Sequence, residues 1–475
     1  MKGIPRKEGS VLIEGEQKLR ITMIGAGYVG LTTAAIFASL GNDVTLLDIN
    51  KDKIEKLKQG EVPIFEEGLG ELLEVARPNL TFISSWGSFN SKTELIIITV
   101  GTPMKENGNV DLTSVEKVAK SIGQKWSNGS QPIVIIKSTV PVGTTYRVKE
   151  WIEEELKKRE INQEIYVASN PEFLREGLAV YDSLYPDRIV IGTDSSHVQD
   201  LLKRLYSPIL NQTFPLSLKL PIQQPDHQPK PVWFVTEIKS AELIKYAANA
   251  FLAMKISFIN EIARLAEKVG ADITEVAEGI GLDQRIGTSY LKAGIGWGGG
   301  CFPKDTSAIL NQGKEKGIEM SLVKATIDVN QKQKEWVISK LKEALGDLKN
   351  KEIGILGLSF KPNTDDIRGA ISIEIIEKLL ELGAAIKVYD PIAMDNFRKT
   401  YPKWKIKYIK KIEEIFEHSH AIILVTEWKQ FKTLPYGELA KKMEDKIIID
   451  GRNLLDIAPL IEAGFQYFGI GRNYS

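Results

Sequence analysis

Cysteine and histidine are nearly missing from this chain: one Cys and four His stand among 475 residues. A single thiol forms no intrachain disulfide, so nothing points to an oxidising compartment and a cytoplasmic location is expected. His197, His227, His418 and His420 lie outside every motif described below, and no metal site is expected. An enzyme built on this chain passes its protons through Lys, Asp or Glu. Surplus charge is missing as well, because Lys+Arg and Asp+Glu cancel at 62 each. Binding to a phosphate backbone needs an excess of cations, so nucleic acid is not an expected partner. No apolar run is long enough to span a bilayer, and residues 1–20 carry scattered charges where a signal peptide would be apolar. No membrane partner is expected.

What is present is a globular composition, 43% hydrophobic and 26% charged. The length implies roughly two to four domains. Residues 19–24 form a short apolar run rich in β-branched side chains, followed by Gly25-Ala26-Gly27-Tyr28-Val29-Gly30 and a helical stretch closed by Gly41. Further apolar runs end at Val100 and Val140 and alternate with helical patterns, as in a parallel sheet with helices on both faces. Residues 211–232 are rich in Pro and Gln and read as a surface loop or insertion. From Thr236 to about Lys268 the pattern is helical throughout, predicting one long central helix. A second βαβ pattern begins at Lys351. The expected fold is α/β: two Rossmann-like, doubly wound domains (19–235 and 336–475) around a helical middle (236–335).

Gly25-x-Gly27-x-x-Gly30 sits between a strand and a helix, as a dinucleotide-binding loop requires. Gly25 makes the tight turn, Gly27 admits a pyrophosphate to the backbone, and Gly30 lets helix and strand pack closely. Asp48 ends the next strand about 20 residues on, where an acid binds the ribose hydroxyls and disfavours a 2′-phosphate. NAD is therefore preferred over NADP, although Lys53 partly offsets the carboxylate. The second βαβ unit has Gly354 and Gly357 but not the full loop.

Three segments place polar residues four apart, on one face wherever the backbone is helical. These pairs are Glu172 with Glu176, Lys245 with Asn249, and Cys301 with Asp305. Pro171 suits a first helical position before the glutamates. Taken singly, such pairs are usually solvated faces or caps, and a lone cysteine is usually a small buried hydrophobe. The approach to Cys301 argues otherwise: Gly294, Gly296, Gly298, Gly299 and Gly300 crowd it, and Phe-Pro-Lys follows as the start of a short helix. The helix dipole and Lys304 favour the thiolate there. A thiol beside a dinucleotide site suggests oxidation of an alcohol to an aldehyde, its capture as a thiohemiacetal, a second oxidation to a thioester, and hydrolysis.

MIGAGYVG, VGTPM, STVPVGTT, NPEFLREG, KYAANAFLAMKISFINE, GWGGGCFPKD, SFKPNTDDIR and DGRN together resemble the UDP-glucose/GDP-mannose dehydrogenase family, from about Leu19 to about Gly469. The resemblance implies that Cys301 is the nucleophile, that Lys245 and Asn249 stabilise the oxyanion and assist proton transfer, and that Asp305 moves a proton or orders water. Thr139 matches a further catalytic position, and Glu172 is the implied base of thioester hydrolysis. Implied cofactor contacts are Gly25, Gly27, Gly30, Asp48, Lys53, Thr102, Glu176 and Arg368. Implied substrate contacts are Phe173, Leu174, Tyr290, Lys361 and Arg452, with Arg285 reaching a neighbouring subunit.

The same resemblance makes UDP-glucose the expected substrate, with GDP-mannose or UDP-N-acetylmannosamine as alternatives. It puts the UDP half on the second Rossmann-like domain and a homodimer interface, or a higher homo-oligomer, on the central helix. A single-step dehydrogenase with a structural Cys301 and a nucleotide-binding protein without turnover are the other readings. The extension before Leu19 is expected to be disordered.

Overall fold

The computed structural model describes residues 18–88, 92–127, 129–215, 218–225 and 230–472. The extension before Leu19 lies outside them, apart from Lys18. The chain divides into two compact units, the first ending at Lys245 and the second beginning at Tyr246.

In the first unit, eight strands form one sheet: β1 Arg20–Ile24, β2 Asp43–Leu47, β3 Leu80–Ile83, β4 Leu95–Ile98, β5 Ile133–Ile136, β6 Val167–Ser169, β7 Arg188–Gly192 and β8 Val232–Thr236. Their order is β3-β2-β1-β4-β5-β6-β7-β8. All pairings are parallel except β6 with β7, which is antiparallel and departs from the purely parallel expectation. The central strands β4 and β5 are apolar on both faces because both are covered. Leu95 and Ile97 of β4 enter one core cluster, while Ile96 and Ile98 enter another.

The second unit carries six parallel strands: β9 Glu352–Leu356, β10 Ala385–Tyr389, β11 Ile406–Tyr408, β12 Ala421–Leu424, β13 Ile447–Asp450 and β14 Gln466–Gly469. Their order, β11-β10-β9-β12-β13-β14, repeats the connectivity of the first six strands of the other sheet. In both, the strand order reverses beside the first strand, which opens a crevice at the carboxyl ends. The middle helices have no core of their own. Ile259, Ala263, Trp336, Val337 and Leu341 share one buried cluster with Ile353 and Ile355 of β9.

The central helix runs from Ile238 to Val269 over 32 residues, as the uninterrupted pattern predicts. No helix among the described residues is long and apolar enough to cross a membrane. One local reading is corrected. The segment 170–177 forms no helix, so Glu172 and Glu176 are not a pair on one helical face. The described part of 211–232 has the irregular, surface-exposed form expected between the helix that ends at Asn211 and the strand that begins at Val232, with Phe214, Leu218, Leu220 and Ile222 partly buried against the core of the first unit.

Candidate active site

In the first unit the glycine loop has the predicted form. Gly25 takes φ +109°, and its N–H donates to the Leu47 carbonyl at 2.8 Å. A Cβ on Gly30 would stand 1.8 Å from the Gly25 carbonyl oxygen and 2.4 Å from Thr99 Oγ1. Around Gly27 there is nothing within 4 Å of a Cβ position, and Gly27 begins the helix Tyr28–Ser39 without any side-chain cap. Open backbone at an uncapped helix start is what a pyrophosphate needs. Asp48 follows β2, with Lys53 Nζ 3.9 Å from its carboxylate. It also accepts the Ala26 N–H at 2.7 Å and the Asn50 N–H at 2.9 Å, so it shapes the loop. These residues fit a dinucleotide.

Gly30→Ala is the sharpest test of that loop. The obstruction is backbone, which cannot rotate away, so we expect a loss of roughly 3 kcal/mol in stability together with loss of NAD binding. A thermal melt and a cofactor titration measure the two effects.

The turns after β4 and β5 are tied together. Thr102 Oγ1 donates to the Thr139 carbonyl at 2.8 Å, and Ser138 Oγ to the Val100 carbonyl at 2.7 Å. Beyond β6 the irregular segment is pinned from afar. Glu66 accepts the N–H groups of Gly177 and Ala179, and Arg175 pairs with Asp182. Glu172 is buried and turned inward: Lys245 Nζ lies 3.0 Å from Oε1, while Oε2 accepts the Leu174 N–H at 2.8 Å. Lys245 is itself 4% exposed, which excludes a solvated lysine. Phe173 lies under the Arg188 guanidinium at 4.0 Å and 5.4 Å from Lys245 Nζ.

Sequence reasoning missed Lys137, the residue after β5, which is buried beside this pair. A lysine closing an all-apolar parallel strand at its carboxyl end was the signal available. Glu66 carries no comparable local signal, because the groups it caps are more than a hundred residues away.

In the second unit Cys301 is exposed and stands at the N-cap of the helix Phe302–Glu315. This helix starts where predicted but is 14 residues long rather than short. The Asp305 N–H donates to the Cys301 carbonyl at 2.8 Å, closing the first turn. Asp305, 1% exposed, accepts from Asn249 Nδ2 at 2.6 Å and pairs with Lys304. Lys304 is therefore engaged by a carboxylate.

The glycine-rich approach is rigid for identifiable reasons. Asn330 holds Trp297 by both backbone groups, accepting its N–H at 2.8 Å and donating to its carbonyl at 2.9 Å. A Cβ on Gly298 would stand 2.0 Å from the Gly369 oxygen. One on Gly300 would stand 3.2 Å from the guanidinium carbon of Arg368, which pairs with Asp366. Arg452 donates to the Gly296 carbonyl at 2.9 Å and pairs with Glu427 at 3.3 Å. Tyr290 holds φ +64° with its ring 6.3 Å from Phe302, and Lys361 Nζ lies 5.5 Å from the Phe360 ring. Arg285 is out on the surface, paired with Asp283, which holds its guanidinium above the usual range. Among the described residues no group of three or more His, Cys, Asp or Glu is arranged to hold a metal.

Comparison with known proteins agrees with the two halves of this geometry. Models of the UDP-glucose/GDP-mannose dehydrogenase family match its NAD binding domain at residues 19–210, its central domain at 239–332 and its UDP binding domain at 354–457. The UDP-glucose 6-dehydrogenase TuaD of Bacillus subtilis is 42% identical over 455 residues, covering 95% of this chain and 93% of that protein. A UDP-glucose dehydrogenase structure from Pyrobaculum islandicum superposes with a TM-score of 0.85 at 37% identity, over 97% of this chain and 99% of that one. A UDP-D-ManNAc dehydrogenase from Pyrococcus horikoshii gives 0.80 at 28% identity, over 96% and 99%.

Proposed function

The chain belongs to the UDP-glucose/GDP-mannose dehydrogenase family, and from that premise we propose that it oxidises UDP-glucose to UDP-glucuronate with two equivalents of NAD. It is an oxidoreductase and its cofactor is NAD. The observation that carries the four-electron reading is the exposed Cys301 thiol at a helix start, with the buried Asp305–Asn249 pair one turn on.

Gly25, Gly27 and Gly30 would hold the pyrophosphate and Asp48 the ribose hydroxyls, with Lys53, Thr102, Glu176 and Arg368 completing the cofactor contacts. Bound NAD supplies the hydride acceptor for both oxidations. Lys245 takes the proton of the sugar hydroxyl as it becomes an aldehyde. The Cys301 thiolate then adds to the aldehyde carbon, and Lys245 and Asn249 hold the charge on the oxygen. Loss of the second hydride leaves a thioester on Cys301. Glu172 takes a proton from the attacking water, and the acid departs as the thiol is restored. Thr139 and Asp305 order the groups around these transfers.

Phe173, Leu174, Tyr290, Lys361 and Arg452 are assigned to the nucleotide sugar, with Arg285 contributed to a second copy. The domain roles proposed are cofactor binding for 19–235, dimerisation and the thiol for 236–335, and UDP binding for 336–475. A homodimer is supported by the central helix, where Phe251, Phe258 and Leu265 are exposed at 57%, 49% and 58% with heptad spacing. A cytoplasmic location belongs to the same proposal and rests on the lone cysteine.

The deciding assay offers UDP-glucose, GDP-mannose and UDP-N-acetylmannosamine and counts NADH against acid formed. We expect turnover with UDP-glucose and two NADH per acid. Activity confined to another sugar nucleotide rejects the substrate. One NADH per turnover with an aldehyde or ketone product rejects the mechanism.

A further inference from the structure

Lys137 closes β5 with its N–H bonded to the Ile98 carbonyl at 2.9 Å, and its side chain is 8% exposed. A buried ammonium is costly unless an anion faces it. Its hydrogen-bonding partners are neutral: Asn170 Oδ1 at 3.2 Å and the Tyr206 hydroxyl at 3.4 Å. Tyr206 donates its own proton to Asn170 Oδ1 at 2.6 Å, and Asn170 Nδ2 donates to the Val190 carbonyl at 3.0 Å. Burial pushes the Tyr206 hydroxyl well up, so it supplies no negative charge. The charges acting on Lys137 are Glu172, which favours its ammonium, and Lys245, which opposes it. The carboxylate acting on Lys137 is thus one that is already in contact with Lys245.

We propose that Lys137 is a positioning residue for the oxidation: its buried charge sets the electrostatic balance around the Glu172–Lys245 pair on which the proton transfers depend. This rests on the roles assigned above to Glu172 and Lys245. Lys137 need not touch substrate to act. A positive charge close to Lys245 weakens that lysine's hold on a proton, and the same charge stabilises the carboxylate that must activate water. Burial, the largest influence, brings Lys137 itself down to about 8, so it titrates within the working range of such an enzyme.

Lys137→Met keeps the length and removes the charge, while Lys137→Arg keeps the charge. Without it the neighbouring groups hold their protons more tightly, so the acid limb of the kcat profile moves up by about one pH unit, about tenfold in kcat on that limb. KM for both substrates is expected to stay within about threefold, since no binding contact is lost. Lys137→Arg is expected to restore the limb. A limb that does not move in Lys137→Met overturns the proposal even if kcat falls, because a packing defect lowers kcat without moving a titration.

Stability provides a reading that needs no turnover. Between about pH 8 and the ordinary lysine value of 10.5, the unfolded chain binds the Lys137 proton and the native chain does not. Stability from this group therefore rises with pH across that window. The thermal midpoint of the wild type is expected to gain on that of Lys137→Met from pH 8 to 10. A constant difference overturns the buried ammonium, whereas a wild type that turns over no UDP-glucose overturns the functional reading and leaves this measurement intact.

Discussion

Cys301→Ser is expected to lower kcat by about 10⁴-fold, while binding of NAD and UDP-glucose and the unfolding midpoint stay close to wild type. Cys301 is exposed, so the substitution leaves no cavity and no buried polar group. The effect is chemical. A serine hydroxyl is hardly ionised at neutral pH, while a thiol at a helix N-terminus with Lys304 nearby is a far better nucleophile. The backbone of residue 301 still accepts the Asp305 N–H, so the helix start is retained. Stopped-flow absorbance at the NADH band, read beside cofactor titration, separates chemistry from binding. A loss of tenfold or less would mean that the thiol is not the nucleophile and would restore the single-step dehydrogenase as the better reading.

Glu172→Gln addresses the other end of the reaction. Without a base for the attacking water we expect about a 10³-fold fall in kcat, preceded by a burst of two NADH per site. The thioester then accumulates on Cys301, where mass spectrometry of the intact protein detects the added sugar nucleotide. Glutamine keeps one oxygen for either Lys245 or the Leu174 N–H, which meet different oxygens of Glu172, so one of the two contacts is lost. There is also an electrostatic cost, because the negative charge acting on Lys137 and in contact with Lys245 is removed. Normal steady-state turnover with no burst would remove Glu172 from hydrolysis.

Both variants depend on residues whose importance was readable to different degrees. Cys301 was legible because its neighbours are locally unusual: five glycines before it and a helix start after it. The Gly25–Gly30 loop was legible for the same reason, since a fixed spacing between strand and helix permits few conformations. The central helix followed from an uninterrupted pattern, and no later contact reversed it.

Glu172 and Glu176 are the counterexample. Spacing of four and a leading proline favour a helix, yet the segment is irregular, with Gly177 at φ +77°. The N–H groups of Gly177 and Ala179 go to Glu66, brought from another part of the chain, and Glu172 turns to Lys245. Local propensity offers at most a few tenths of a kcal/mol per residue pair. Buried charge-assisted hydrogen bonds outweigh it.

The sequence alone therefore determined the strand and helix alternation, the glycine loop after the first strand, the placing of the thiol at a helix start behind a run of glycines, and the scarcity of imidazole groups. These are short-range properties, carried by steric limits on glycine, by apolar periodicity and by composition. Tertiary structure decided which charges meet: Lys245 with Glu172, Asn249 with Asp305, and Lys137 buried behind the first pair. Burial is what gives those meetings their chemistry. A charge removed from water has to be balanced by whichever groups the fold brings to it, and the partners come from strands and helices far apart in the chain.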